Sequence, residues 1–281
     1  MKKSVFLRIM LVLFACAFVF CVAVVFFFRS GYIANEWLNR KTSESFTVQT
    51  TSRPTAGAED EDAEEAGPII APIQVDFASL KKINRQIVGW IYCKDSKIDY
   101  PVVLGDDNDF YIDHAYNLDG SPSGAIFVDY QNREGFVDSN NILYGHHMAD
   151  GSMFATLENW SKQEYFDEHP VMWLLTPEQD YRVDLFSAYY ISALDEAYSI
   201  YHEPSMAMDN YLAMAKEHSA VEADVELDGN AKYVMLSTCA YVFDLARAVV
   251  HGKLVPVDSA GGKPFDPNIE APSPTPISPS P

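Results

Sequence analysis

The sequence predicts a mainly β domain, a closed barrel with a few inserted helices, and three observations carry that expectation. Between residues 73 and 258, short apolar stretches bounded by turn residues outnumber segments of helical periodicity. Only two stretches in that range space their apolar residues as a helix does. Polar and proline-rich composition on both flanks leaves one foldable unit, of a size usual for a single domain.

The first helix is expected over 76–86, where Phe77, Leu80 and Ile83 recur at helical spacing and Asp76 is placed to cap the amino-terminal turn. Strands are expected at 88–93, 98–104, 125–129 and 141–146, and then at 171–176, 181–192, 232–239 and 247–257. The second helix is expected over 206–218. Asp106, Asp107 and Asp109 fit the start of a helical turn better than a calcium site, because acids favour a helix amino terminus. Many short strands with turns between them suggest a barrel.

The flanking segments set the expected topology. Residues 9–28 are apolar without a charge, and about 20 such residues cross a bilayer as a helix. Lys2, Lys3 and Arg8 precede the run, so the expectation is a cytoplasmic amino terminus (1–8), a single membrane span (9–28) and an exported remainder. A cleaved signal peptide fits less well, because its apolar core is usually shorter and no clear small-x-small site follows. Residues 29–72 are rich in Ser, Thr and acids, and too poor in apolar side chains to offset the entropy of ordering; a disordered acidic stalk is expected there. A catalytic domain is expected over 73–258 and a proline-rich disordered tail over 259–281.

Charge excludes one class of partner. The chain carries 40 acidic and 20 basic side chains, a formal net charge of −20. Such a surface repels phosphate backbones, so nucleic acid is not expected as a partner. Of four cysteines, Cys16 and Cys21 fall in the apolar run, leaving Cys93 and Cys239 outside it. Those two could pair as a disulfide, but the preferred reading of Cys93 is a small apolar strand residue.

Two short runs carry the chemistry. Tyr144-Gly145-His146-His147-Met148 lies at a strand end, and Ser237-Thr238-Cys239 precedes a loop that leads to Arg247. Thiol-based acyl transfer needs a nucleophilic sulfur, an imidazole that moves protons and a cation that holds an oxyanion or substrate. Alternation puts Tyr233, Met235, Ser237 and Cys239 on one face of their strand. On the last strand it leaves Arg247, Val249, His251 and Lys253 opposite the expected core face, so Cys239 and Arg247 would meet if the two strands pair antiparallel. Adjacent histidines on a strand point to opposite faces, which disfavours joint zinc ligation by His146, His147 and Cys239; no metal and no cofactor is expected.

Several runs together resemble the class B sortases. Tyr144-Gly145-His146-His147-Met148 with Gly151-Ser152-Met153-Phe154 is similar to the family's histidine region. Ser237-Thr238-Cys239, Ala246-Arg247 and Val250-His251-Gly252-Lys253-Leu254 are similar to its cysteine–arginine region. Gly89-Trp90-Ile91-Tyr92, Ile98-Asp99-Tyr100-Pro101-Val102-Val103 and Ser123-Gly124-Ala125-Ile126-Phe127 resemble its opening strands. The resemblance implies a sortase barrel of about eight strands with an amino-terminal helix. It also implies a membrane-anchored cysteine transpeptidase with Cys239 as nucleophile, His146 as proton carrier and Arg247 as the cation. Ser237 would help orient substrate or oxyanion. The implied partners are exported proteins with a carboxyl-terminal sorting motif cleaved at a threonine, and an amine of a cell-wall precursor or pilin subunit as acceptor. An extracytoplasmic cysteine peptidase and a non-enzymatic anchored barrel, an adhesin or scaffold, are the alternatives.

Overall fold

A computed structural model describes residues 2–50 and 69–258. The chain divides into two units at Arg40 and Lys41. The first is most of helix α1 (Lys2–Phe46), whose last turn and a half belongs to the second unit. Among the described residues no helix is long and apolar enough to cross a membrane. The side chains of Ile9, Val25, Phe27 and Phe28, within the apolar run, lie outside the described residues.

The disordered stalk expected over 29–72 is not what the described part of that stretch contains. Helix α1 runs on to Phe46, and strand β1 (Thr47–Gln49) follows and pairs antiparallel with β2 (Ile73–Val75). Composition misled here because 30–46 contains no proline and enough helix formers, among them Ala34, Glu36, Leu38 and Lys41, to prolong a helix already nucleated upstream. Ser43 Oγ also donates to Asp99 Oδ2 at 2.5 Å, and Thr42 to the Tyr116 hydroxyl, so the end of the helix is tied to the domain. Residues 51–68 and the expected tail at 259–281 lie outside the described residues.

Helix α2 (Phe77–Ile83) forms as expected, with Asp76 accepting from the Ser79 N–H at 2.9 Å. It stops three residues early because Asn84 turns extended. The Asn84 amide donates to the Tyr111 hydroxyl and the Tyr116 carbonyl, both at 2.8 Å, and accepts from the Gln86 N–H. All eight expected strands are present: β3 (Ile87–Tyr92), β4 (Asp99–Leu104), β5 (Ile126–Val128), β6 (Asn140–Tyr144), β7 (Val171–Leu175), β8 (Asp180–Ser192), β9 (Lys232–Cys239) and β10 (Ala246–Val257). They close into a barrel in the order β10-β8-β7-β3-β4-β5-β6-β9.

Neighbours in the barrel are antiparallel except at β4–β5 and β6–β9, which are parallel. Parallel neighbours require crossovers. The first, residues 105–125, holds a 3₁₀ turn at Phe110–Ile112. Asp107 opens it by accepting from the N–H groups of Asp109 and Phe110, bonds that hold its carboxyl below the usual range. The second spans helix α3 (Gln163–Glu168), β7, β8 and helix α4 (Met206–Glu217), together with 3₁₀ turns at Ala155–Ser161 and Glu196–Tyr198.

The faces of β9 and β10 differ from expectation. Val249 and His251, read as lying off the core, are each 1% exposed. Helix α4 covers that face, packing Met208, Tyr211, Leu212 and Ala215 on Tyr233, Met235 and Val249. Both faces are therefore interior along most of each strand, and only the ends beyond the helix, at Ser237 to Cys239 and at Arg247, open to a cleft.

His251 is the polar member of the layer under α4. Its Nε2 lies 2.9 Å from the Tyr211 hydroxyl, its ring stacks on Tyr189 with centroids 5.5 Å apart, and Nδ1 has no hydrogen-bond partner. Burial pushes its pKa down to about 3 from an ordinary 6.5. The unfolded chain therefore binds the extra proton first, and this stability term is complete above pH ~6.5 and lost as pH falls toward 3. Denaturant titrations should show stability dropping by up to roughly 1.4 kcal/mol per pH unit through that window. A His251→Leu variant should lose that slope; an unchanged slope would contradict the neutral buried imidazole.

Candidate active site

The site forms where three strand ends meet. β9 and β10 pair antiparallel with Arg247 directly opposite Cys239, and the Ala240 N–H closes the connecting loop on the Ala246 carbonyl at 2.9 Å. β6 runs parallel to β9 with Tyr144 level with Ser237, and the Gly145 N–H continues the ladder to the Ser237 carbonyl at 3.2 Å. The next residue is His146. A side chain at Gly145 would put its Cβ 2.5 Å from Ile126 and 2.8 Å from the Phe154 ring, so only glycine lets the chain pass close enough to deliver His146.

The His146 Nε2 lies 2.7 Å from the Ile112 carbonyl oxygen. A carbonyl can only accept, so the contact assigns the proton to Nε2 and leaves Nδ1 as the basic nitrogen. The alternation used to separate His146 from His147 does not apply, because β6 ends at Tyr144. The two rings still diverge. His147 packs edge-on to Tyr241, with centroids 5.3 Å apart, and its Nε2 sits 3.4 Å from a Glu158 carboxylate oxygen. That Nε2 makes no hydrogen bond, so the pair has ion-pair separation without hydrogen-bond alignment.

His146, Ser237, Cys239 and Arg247 line one cleft of about 380 Å³, with Cys239 and Arg247 half-buried. The structure thus brings the four expected site residues together. Ser237 is 2% exposed, and its Oγ is engaged 2.7 Å from the Tyr198 hydroxyl. One Arg247 N–H donates to the carbonyl of Ala246 at 3.0 Å, leaving four of its five donors. Cys93 is buried at 1% exposure with its thiol pushed up to about 11 by burial, and none of the four cysteines is in a disulfide. Among the described residues no group of three or more His, Cys, Asp or Glu is arranged to hold a metal ion.

Sequence reasoning missed three cleft residues. Tyr198, from the 3₁₀ turn after β8, stacks on Tyr144 with centroids 6.2 Å apart. Burial raises its phenol pKa while nearby Arg247 opposes, so it is a neutral hydroxyl against the cleft. Asn108 comes from the first crossover, and Tyr144 sits inside a motif read only for its histidine. No local pattern marks Tyr198 or Asn108.

An eight-stranded barrel with a thiol, an imidazole and a guanidinium around one cleft at its strand ends has the architecture of a barrel-type cysteine acyltransferase. Over 187 residues the chain is 34% identical to Sortase B of Listeria monocytogenes, spanning 65% of this chain and 75% of that protein. It is 32% identical to Sortase B of Staphylococcus aureus, spanning 66% and 77%. The structure of sortase B from Bacillus anthracis in complex with AAEK1 matches with a TM-score of 0.65 at 29% identity, covering 81% of this chain and 99% of that one. Staphylococcus aureus sortase B, solved with a substrate and with triglycine, matches with a TM-score of 0.61 over 65% of this chain in both cases, covering 85% and 86% of those chains. No protein-family profile matches. The chain belongs to the sortase B family and is a cysteine transpeptidase.

Proposed function

We propose that this transpeptidase cleaves a carboxyl-terminal sorting signal of exported proteins at a threonine and joins the acyl group to an amine of a cell-wall precursor or pilin subunit. The observation that carries the reading is Cys239 in register with Arg247 on the same cleft wall as His146. The Staphylococcus aureus relative has been solved with a substrate and with triglycine, which supports a peptide signal and an amine acceptor.

Each residue then has a physical task. An ordinary thiol, with a pKa of about 8.5, is only a few per cent thiolate at neutral pH, so an imidazole and a guanidinium beside it help form and hold the reactive anion. The Cys239 sulfur attacks the threonine carbonyl carbon, and the carbonyl oxygen becomes an oxyanion that Arg247 stabilises. His146 gives a proton to the leaving amine as the C–N bond breaks, leaving a thioester. The acceptor amine attacks that thioester, His146 takes its proton, and the thiol is released. Ser237 and Tyr198, bonded to each other, brace the wall on which the peptide lies.

A labelled sorting-signal peptide, incubated with and without triglycine, tests the reading. The expected product with triglycine is the joined peptide. Hydrolysis alone at saturating amine would reassign the protein as a surface peptidase.

We also propose that residues 9–28 anchor the chain in the cell membrane, amino terminus inside and catalytic domain on the extracytoplasmic side. The support is an apolar run of bilayer-spanning length behind Lys2, Lys3 and Arg8. Full-length chain should sediment with protoplast membranes and be digested by protease added outside. A protected domain, or a mature chain beginning after residue 29, would overturn the anchor.

A further inference from the structure

Asp129 lies directly after β5 and is 4% exposed. One of its oxygens, Oδ2, accepts from two side chains that line the cleft, the Tyr144 hydroxyl and the Asn108 amide, each at 2.9 Å. The other, Oδ1, accepts from the Gln131 N–H at 2.9 Å. Asn108 is held at its other end too, since its Oδ1 accepts from the Tyr130 N–H at 3.0 Å. Burial and the Asp129 charge both push the Tyr144 phenol pKa up, so that hydroxyl remains a donor.

The two donors belong to the two segments that set His146. Tyr144 precedes it by two residues at the end of β6. Asn108 opens the turn in which the Ile112 N–H reaches the Asp109 carbonyl, and the Ile112 carbonyl takes the His146 Nε2 proton. One carboxylate oxygen therefore joins the chain that carries the imidazole to the chain that carries its acceptor. We propose that Asp129 is a positioning residue for the transpeptidation, tying Tyr144 to Asn108 so that the Ile112 carbonyl holds His146 in its Nε2–H tautomer. The proposal rests on His146 as the proton carrier. A buried carboxylate with three donors could instead serve only to fasten loops, and that simpler role makes a different prediction for the imidazole.

Charge-assisted bonds of this kind are among the stronger ones, and Asp129→Asn keeps the shape while removing the charge. Imidazole ¹⁵N spectra of the full chain, with the His146 signals assigned through His146→Gln, read the tautomer without reference to activity. In the unsubstituted chain Nε2 should be pyrrole-like and Nδ1 pyridine-like. In Asp129→Asn the two should move toward a mixed average, kcat should fall about tenfold or more, and the pH profile of kcat should shift. In an Asn108→Ala/Tyr144→Phe background Asp129→Asn should add nothing further, because the residues it acts through are already gone. A folded Asp129→Asn with unchanged imidazole signals and kcat overturns the proposal, as does a loss that simply adds to that of the double variant. Should Asp129→Asn fail to fold, Asn108→Ala decides alone: mixed signals support the tie, unchanged signals overturn it. If the unsubstituted chain lacks Cys239-dependent turnover, the catalytic reading falls while the imidazole spectra still decide the tie.

Discussion

Replacing Cys239 by alanine should abolish both peptide cleavage and amine transfer while the barrel stays folded. The reasoning starts from the competing thiols. Cys16 and Cys21 lie in helix α1, in the unit that ends at Arg40, and Cys93 is 1% exposed with its thiol raised to about 11. At neutral pH such a thiol is about one part in ten thousand thiolate, and it has no access to the cleft, so it cannot take over as nucleophile. Cys239 is half-buried at the end of β9 and lines the cleft. Truncating it to a methyl removes one sulfur from a partly open position and should cost on the order of 1 kcal/mol or less. Thermal unfolding should therefore stay within a few degrees of the parent, while single-turnover assays find neither free amine nor thioester. Turnover within tenfold of the parent by a folded Cys239→Ala chain would move the nucleophile elsewhere.

The strands were legible because each is a short apolar stretch between turn residues, and turns are local. Cys239 and Arg247 were legible for a related reason: they end adjacent strands joined by a short loop, so sequence distance and spatial distance agree. His146 was found through its motif, yet the alternation argument behind it did not hold, since β6 gives way to a loop at Gly145. The faces of β10 were misread because nothing local says that α4, from a distant part of the chain, will cover Val249 and His251. Asn108 and Tyr198 were missed for the same non-local reason. Both arrive at the cleft from a loop or 3₁₀ turn carried there by a barrel crossover, and neither sits in a pattern of its own. The helix beyond residue 28 was missed because charge and serine content were weighed over helix propensity.

Arg247→Lys should lower turnover far more than it weakens peptide binding. Arginine presents a rigid planar fork, whereas lysine offers a mobile point charge on a flexible stem. At this position one N–H of the fork is already spent on the Ala246 carbonyl, which fixes the plane of the guanidinium beside its strand partner Cys239. The remaining donors can then meet an oxyanion without reorganising, and a lysine ammonium cannot hold both the carbonyl and the oxyanion in the same geometry. Losing one such donor typically costs about two to three orders of magnitude in rate. If the guanidinium acts on the transition state, kcat and kcat/KM should fall together by about that factor while KM changes little. If it grips the peptide equally in ground and transition states, KM should rise with kcat kept. Steady-state kinetics on one labelled sorting peptide separates the two, because each outcome moves a different constant. A lysine variant with both constants near those of the parent would make Arg247 a solvated charge and leave the oxyanion to backbone N–H groups of the β9–β10 loop.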